Sequence, residues 1–150
     1  MQKLLAALAF AALVAGGLWA LWGLGPDLSA TADVAVLVTG PDGELWNGTV
    51  TAAPATPLGA LLAAEAIAAS AEGAGAPPDD GDLRVLVTRY AGIRPCGAYV
   101  SSIAGIGAAG TGGWVYEVQR DGAWQRPPVG ACAFALRDGD VVWWRWVAAP

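Results

Sequence analysis

The stretch that decides the fold runs from residue 112 to residue 146 and reads GGWVYEVQRDGAWQRPPVGACAFALRDGDVVWWRW. In its first part, Trp114, Tyr116 and Val118 fall on one side of a two-residue repeat, and the residues between them fall on the other. That period is typical of a β-strand with one buried face. The last part, Val141 to Val147, is β-branched and aromatic, a composition that also favours a strand.

Two turns punctuate this stretch. Asp121-Gly122 suits a tight hairpin, because both residue types tolerate the positive φ that such turns require. Arg137 to Asp140 forms a second turn directly before the last strand. We therefore predict a hairpin followed by a connection and a final strand.

The residues upstream add two strands, one helix and further strands. Asp33 to Thr39 and Glu44 to Ala52 predict a hairpin whose second strand is broken at Asn47-Gly48. Thr56 is a suitable helix cap and Pro57 a suitable first residue, and the helix is expected to end near Ala71. Two further predicted strands follow, residues 83–90 and 99–106.

This order of elements predicts an α+β fold. Two strands, one helix and four or five more strands give a mixed sheet with one main helix packed on one face. Among such arrangements, a β-grasp-like topology fits the order best. The sheet is preceded by an N-terminal helix that is apolar on every side.

The N-terminal segment predicts export. Leu4 to Leu24 is an apolar run long enough to span a bilayer, and Lys3 is the charge that precedes it. A retained signal-anchor fits the length of the run, whereas Ala30-Thr31-Ala32 would serve as a cleavage site for a signal peptide. Both alternatives place residues 33–150 outside the cytoplasm as the globular domain, secreted or anchored to the membrane, and residues 1–32 as the signal peptide or anchor.

Composition excludes several functions. The chain has no histidine, which excludes Ser-His and Cys-His catalysis and any histidine-ligated metal site. Its formal charge of −5, without a basic run, argues against nucleic acid as a partner. Asp138 and Asp140 are more typical of turn residues than of a catalytic pair, so we predict that the protein is not an enzyme and needs no metal.

The two cysteines are predicted to pair. An exported domain lies in a compartment where disulfides persist, and Cys96 and Cys132 are the only cysteines of the chain. Cys96 precedes one predicted strand and Cys132 lies before the last. We expect a Cys96–Cys132 disulfide, with two buried free thiols as the alternative.

Four local motifs follow one another along the chain: TPLGALL at 56–62, YVSSIAGI at 99–106, GWVYEV at 113–118, and Gly130-Ala131 followed by LRDGDVVW at 136–143. In this order they resemble a bacterial domain family related to the C-terminal domain of transcobalamin and intrinsic factor. The resemblance covers roughly residues 33–147. The sequence departs from the family pattern where Asp121-Gly122 replaces Asn-Gly, and where residues 124–128 lengthen the next connection.

The resemblance implies a β-grasp-like fold and, for the vertebrate proteins, cobalamin binding. In those proteins a second, helical domain completes the cobalamin site, and no such domain is predicted within these 150 residues. A bound cobalamin or related corrinoid is therefore the ligand that the resemblance suggests, with no cofactor required.

The candidate binding residues are aromatic. An exposed aromatic surface offers a large contact area with few rotatable bonds, which suits a flat ligand. The alternative is that the tryptophans form the core, and this is the interpretation we favour for Trp144 and Trp146. The residues predicted to form one ligand-binding surface are Tyr99, Trp114, Tyr116, Trp124 and Trp143.

The sequence is compatible with two functions. One is a non-catalytic ligand-binding module for a corrinoid. The other is a cell-surface structural or protein-interaction module, for instance an accessory subunit of a membrane transporter. An exposed apolar patch together with a retained membrane anchor would favour the second function.

Overall fold

The computed structural model describes residues 29–71, 83–89, 97–107 and 112–149. Most of these residues lie in strands, with one helix, so the predicted mixed α+β class is confirmed. The predicted apolar N-terminal helix lies outside the described residues. The elements are β1 (Ala32–Gly40), β2 (Gly43–Ala52), α1 (Pro57–Ala71), β3 (Val85–Arg89), β4 (Ala98–Ile103), β5 (Ile106–Gly107), β6 (Gly112–Arg120), β7 (Ala123–Gln125) and β8 (Val141–Ala148).

The strands form two sheets, where the sequence predicted one. Five strands pair in the order β2-β1-β8-β6-β7, and β3, β4 and β5 form a separate antiparallel sheet. Six strands follow the helix among the described residues, where four or five were predicted. Ala104 and Gly105 adopt positive φ and turn the chain between β4 and the two-residue β5.

The first and last strands lie side by side in the middle of the large sheet. β1 pairs with β8 in parallel, and both outer neighbours of this pair, β2 and β6, run antiparallel to it. The turn before β8 fixes that pairing. Asp138 Oδ1 accepts a hydrogen bond from the Asp33 amide at 2.9 Å, and the Gly139 amide donates to the Asp33 carbonyl at 2.9 Å.

One face of the large sheet carries the core. The helix packs against it, and Val34, Val36, Val38 and Trp144 are almost wholly buried there. The predicted helix cap is confirmed, since Thr56 Oγ1 accepts a hydrogen bond from the Gly59 amide at 3.0 Å. The bounds of the helix, Pro57–Ala71, also agree with the prediction.

The predicted break in the second strand is wrong. β2 continues through Asn47 and Gly48 and pairs with β1 on both sides of them. Gly48 has a packing role instead, because a Cβ atom there would lie 2.8 Å from the indole of Trp46. The glycine leaves room for that indole, which packs partly buried against the core.

Candidate functional site

A cavity of about 360 Å³ opens in the layer that covers the core face of the large sheet. It lies between β4, β6 and the connection from Arg126 to Ala131 that follows β7. Its volume is at the low end of the range for small-molecule sites, roughly 300–1,000 Å³. The lining residues are Ala98, Tyr99, Val100, Trp114, Val115, Tyr116, Arg126, Pro127, Pro128, Val129, Gly130, Ala131 and Trp144.

Three buried aromatic side chains line the sheet side of the cavity, and each polar end is bonded to a backbone carbonyl. Trp114 Nε1 donates to the Ile106 carbonyl at 2.8 Å, the Tyr116 hydroxyl to the Val129 carbonyl at 2.6 Å, and Trp144 Nε1 to the Pro57 carbonyl at 3.3 Å. Tyr116 and Trp144 also contact each other, with ring centroids 5.5 Å apart. Because these polar atoms are already satisfied, the rings are held in place as an apolar lining.

The opposite wall is more exposed. Tyr99 on β4 is 41% exposed, and its hydroxyl lies close to Gly113 at the start of β6. Residues 128–130 are exposed as well, and Arg126 is the single charged residue among those that line the cavity. An aromatic and aliphatic lining with one cationic side chain suits a ligand that has a large apolar surface and some polar substituents.

The Tyr116 hydroxyl links β6 to residues 126–131, which form one wall of the cavity. Burial raises its pKa from 10.0 to about 12. A phenol whose pKa is raised in the folded state contributes stability that is fully present below the unfolded pKa and is lost as the pH rises through the folded value. The contribution of Tyr116 is therefore present below about pH 10 and lost towards pH 12.

We expect the difference in tyrosinate absorbance between the wild-type protein and Tyr116→Phe to appear near pH 12. The substitution should also lower the free energy of unfolding by about 1 kcal/mol, because it removes one neutral hydrogen bond. An ultraviolet pH titration of both proteins measures the first effect. A difference already complete near pH 10 would contradict the buried, bonded phenol.

The prediction of one exposed aromatic surface is wrong. Trp114 and Tyr116 lie on the core face and are only 5% and 9% exposed. Trp143 pairs with Glu117, and Trp114 pairs with Trp146, so Trp143 lies on the other face of the sheet. The residue that faces a given tryptophan depends on the register between two distant strands, which strand alternation alone does not specify. Tyr99, Trp114 and Tyr116 do come together, at the cavity.

Trp124 and Trp143 form a separate aromatic pair on the outer face of the large sheet. Their rings meet edge to face with centroids 5.7 Å apart, and Trp124 is 46% exposed, as predicted. The Arg145 guanidinium lies 5.3 Å from the centroid of the Trp143 ring and forms a 2.7 Å ion pair with Glu117. Trp143 Nε1 donates to Thr39 Oγ1 at 2.9 Å. These contacts hold Trp143 half-buried, where the sequence predicted it exposed.

The prediction that Trp144 and Trp146 of β8 belong to the core agrees with the structure. Trp144 is buried, and Trp146 packs partly buried against the core, with its ring edge to face against Trp114 at 5.6 Å. Sequence reasoning missed Trp144 as a lining residue of the cavity. The other missed residues belong to the connection from Arg126 to Ala131, for which the long, proline-containing stretch after Trp124 was the available signal.

The aspartates before β8 have structural partners, as predicted. Both oxygens of Asp140 accept hydrogen bonds from Arg120, at 3.0 and 2.6 Å, and Oδ2 also accepts from the Arg137 amide at 2.9 Å. Asp138 Oδ1 accepts a hydrogen bond from the Asp33 amide. Across residues 29–71, 83–89, 97–107 and 112–149, no histidine, cysteine, aspartate or glutamate side chains cluster as a metal site would require.

The predicted disulfide involves one residue outside the described part of the chain. Cys132 is half-buried and is not a free thiol. Cys96 lies outside the described residues, so its pairing with Cys132 stays a prediction. Residues 108–111 of the glycine-rich segment before β6 also lie outside them. No helix within the described ranges is long and apolar enough to cross a membrane, and Leu4 to Leu24 falls outside those ranges.

Comparisons with known proteins show a similarity of fold. No family model matches the sequence, and no curated protein matches it. Among solved structures, the chain is similar to haptocorrin in complex with Cbi, with a TM-score of 0.55 and 17% sequence identity. The match covers 83% of this chain and 27% of the haptocorrin chain, so the chain spans about a quarter of the length of that protein.

Proposed function

We propose that this chain is an exported, non-catalytic binding module for a corrinoid, and that the cavity lined by Tyr99, Trp114 and Tyr116 is its binding site. The observation that carries the proposal is this cavity with its buried aromatic lining, within a fold similar to that of haptocorrin in complex with Cbi. The four sequence motifs that resemble the transcobalamin-related family point to the same class of ligand.

The proposed fold is a variant of the β-grasp. The parallel pairing of β1 with β8 at the centre of a mixed sheet supports it, as does one helix packed on one face. In this variant the small β3-β4-β5 sheet supplies one wall of the cavity. That wall carries Tyr99, the most exposed aromatic residue of the proposed site.

The size of the cavity determines how a corrinoid would bind. A volume of about 360 Å³ suits a part of a large macrocycle with its substituents, and the remainder would project from the opening. The bound surface would then lie on Tyr99 and the exposed residues 128–130, with modest affinity unless a partner covers the other side. The absence of histidine in the chain means that contact would be to the ring and its edges and not through an imidazole on cobalt.

A binding experiment tests the proposal. The purified full chain in detergent micelles is titrated with cyanocobalamin and, separately, with Cbi, and tryptophan fluorescence is corrected for inner-filter absorption. We expect saturable quenching and corrinoid colour that stays with the protein through a desalting column. Hemin, a flat macrocycle of different chemistry, serves as a control for unspecific binding. No saturable quenching by either corrinoid, or equal binding of hemin, would contradict the proposal.

A second candidate function is a cell-surface interaction module. Exposed apolar side chains favour it: Leu86 on β3 is 60% exposed, and Leu62 and Ile67 project from the helix into solvent. Apolar patches of this kind mark protein contacts when they are contiguous. Under this hypothesis the protein would be an accessory subunit of a membrane transporter. Retention of residues 1–32 in the mature protein, without corrinoid binding, would favour this function over the first.

A further inference from the structure

One edge of the large sheet is long, and its regular part, from Trp46 to Ala52, lacks the features that normally prevent strand pairing. β2 is the edge strand beside β1, and no other described strand pairs with its free side. Leu45 is the extra residue at a register shift, so regular pairing runs from Trp46 to Ala52. Natural proteins block such edges with charged residues, prolines, bulges or very short strands. The seven residues from Trp46 to Ala52 contain neither a charged residue nor a proline.

The opposite edge differs. β7 has three residues, Ala123–Gln125, and offers little backbone to a neighbouring strand. The sheet therefore has one short edge and one open edge. On β2, the side chains of Asn47, Thr49 and Thr51 are exposed beside the free backbone, and none of them carries a charge.

We propose that β2 pairs with β2 of a second copy of this chain, antiparallel and about a two-fold axis, so that two five-stranded sheets join into one. Uncharged side chains favour self-pairing, because like charges directly opposite each other destabilise a strand pair, whereas threonines on facing strands can hydrogen-bond. Along the sequence, the charged residue nearest to the regular strand is Glu44, two residues before it, and the Asp33 carboxylate on β1 accepts a hydrogen bond from Thr51 Oγ1 at 2.6 Å. Antiparallel pairing centred on Thr49 places the two copies of Glu44 at opposite ends of the contact.

The proposed contact closes on itself. A two-fold axis uses the same strand of both copies, so the large sheet of each copy keeps only the short β7 edge among its described strands for a third copy. The product is a dimer and not a fibre. The contact involves only the β2 edge, so the cavity beside β4 and β6 stays open in both copies.

Charge substitutions on β2 test the proposal in the full chain, in detergent micelles, by sedimentation equilibrium. We expect a wild-type dimer, and we expect Asn47→Lys/Thr49→Lys to weaken dimerisation about tenfold, because the new charge at position 49 faces its own copy across the axis and the charge at position 47 lies diagonally opposite it. The matched control is Ala123→Lys/Gln125→Lys, which places the same charges on exposed positions of β7 and should leave the dimer unchanged.

Mixing separates the proposed contact from a folding defect. Asn47→Glu/Thr49→Glu should weaken dimerisation on its own, and an equimolar mixture with the lysine variant should restore it, since opposite charges then face each other. A monomeric wild-type protein would overturn the proposal. A dimer unaffected by either β2 variant would do so too, because the apolar residues 4–24, which all variants share, would then account for association.

Discussion

Trp144→Ala is expected to lower the free energy of unfolding by about 3–5 kcal/mol, the largest loss for any single substitution considered for this protein. Trp144 is 2% exposed, lies beside Val38 of β1 and Tyr116 of β6, and donates a hydrogen bond to the Pro57 carbonyl at the start of the helix. Truncation would leave a large void between the sheet and the helix and would remove the hydrogen bond from the indole to the Pro57 carbonyl. Chemical denaturation monitored by circular dichroism measures the loss.

The neighbouring residue is the matched control. Trp143 has the same side chain on the same strand, but it lies on the outer face, half-buried. Trp143→Ala removes its edge contact with Trp124 and the Arg145 contact, which together contribute about 1–2 kcal/mol. Trp144→Phe keeps a ring in the core and provides a folded variant if Trp144→Ala does not fold. Equal losses for Trp143→Ala and Trp144→Ala would contradict the assignment of the two faces.

Asp140→Ala is expected to lower the free energy of unfolding by about 3 kcal/mol, at the lower end of the range for breaking a buried ion pair. Asp140 is 3% exposed, and its partner Arg120 retains 19% of its side-chain exposure, which moderates the cost. The same guanidinium also donates to the Ala135 carbonyl and lies over the Phe134 ring. The pair therefore connects β6 to the segment before β8. Asp42→Ala, in the exposed turn between β1 and β2, should change stability by less than about 0.5 kcal/mol.

The Asp140 carboxylate also gives the protein an acid sensitivity. Burial alone would raise its pKa, but the hydrogen bonds from Arg120 and from the Arg137 amide, with the charges of both arginines, hold the pKa below 3.8. A lowered folded pKa contributes stability that is present above the unfolded value, about 3.9, and is lost as the pH falls through the folded value. The free energy of unfolding of the wild type should therefore fall as the pH decreases from about 3.9 through the lowered pKa of Asp140. Asp140→Asn should show a smaller fall there, and an unchanged acid profile would contradict the role of the pair.

The sequence predicted what depends on local chemistry. The alternation from Trp114 to Val118, the cap at Thr56 and the turn at Asp121-Gly122 all formed as predicted, and both turn residues adopt positive φ. These features depend on residues within a few positions of each other. Alternation along β8 also predicted correctly that Trp144 and Trp143 lie on opposite faces of the sheet.

The features that the sequence could not predict depend on the register between strands that are distant along the chain. The faces of Trp114 and Trp143 are related by the pairing of β6 with β8, whose strands are 20 residues apart along the chain, from Arg120 to Val141. The separate β3-β4-β5 sheet likewise depends on tertiary packing. The cavity exists because that sheet and the connection from Arg126 to Ala131 leave a gap above the aromatic residues, and no local pattern specifies a gap.

The central claim is that a corrinoid binds at the cavity, and paired alanine substitutions test its location most directly. Tyr99 and Trp124 are both exposed aromatic residues, 41% and 46%, but Tyr99 lines the cavity and Trp124 lies on the outer face of the sheet. Dissociation constants for cyanocobalamin and Cbi are measured for both variants and the wild type, beside their melting curves. We predict that Tyr99→Ala weakens binding by more than about 1 kcal/mol, roughly fivefold, with little loss of stability, and that Trp124→Ala leaves binding unchanged. Wild-type affinity in Tyr99→Ala, with weakened binding in Trp124→Ala, would contradict the cavity as the site.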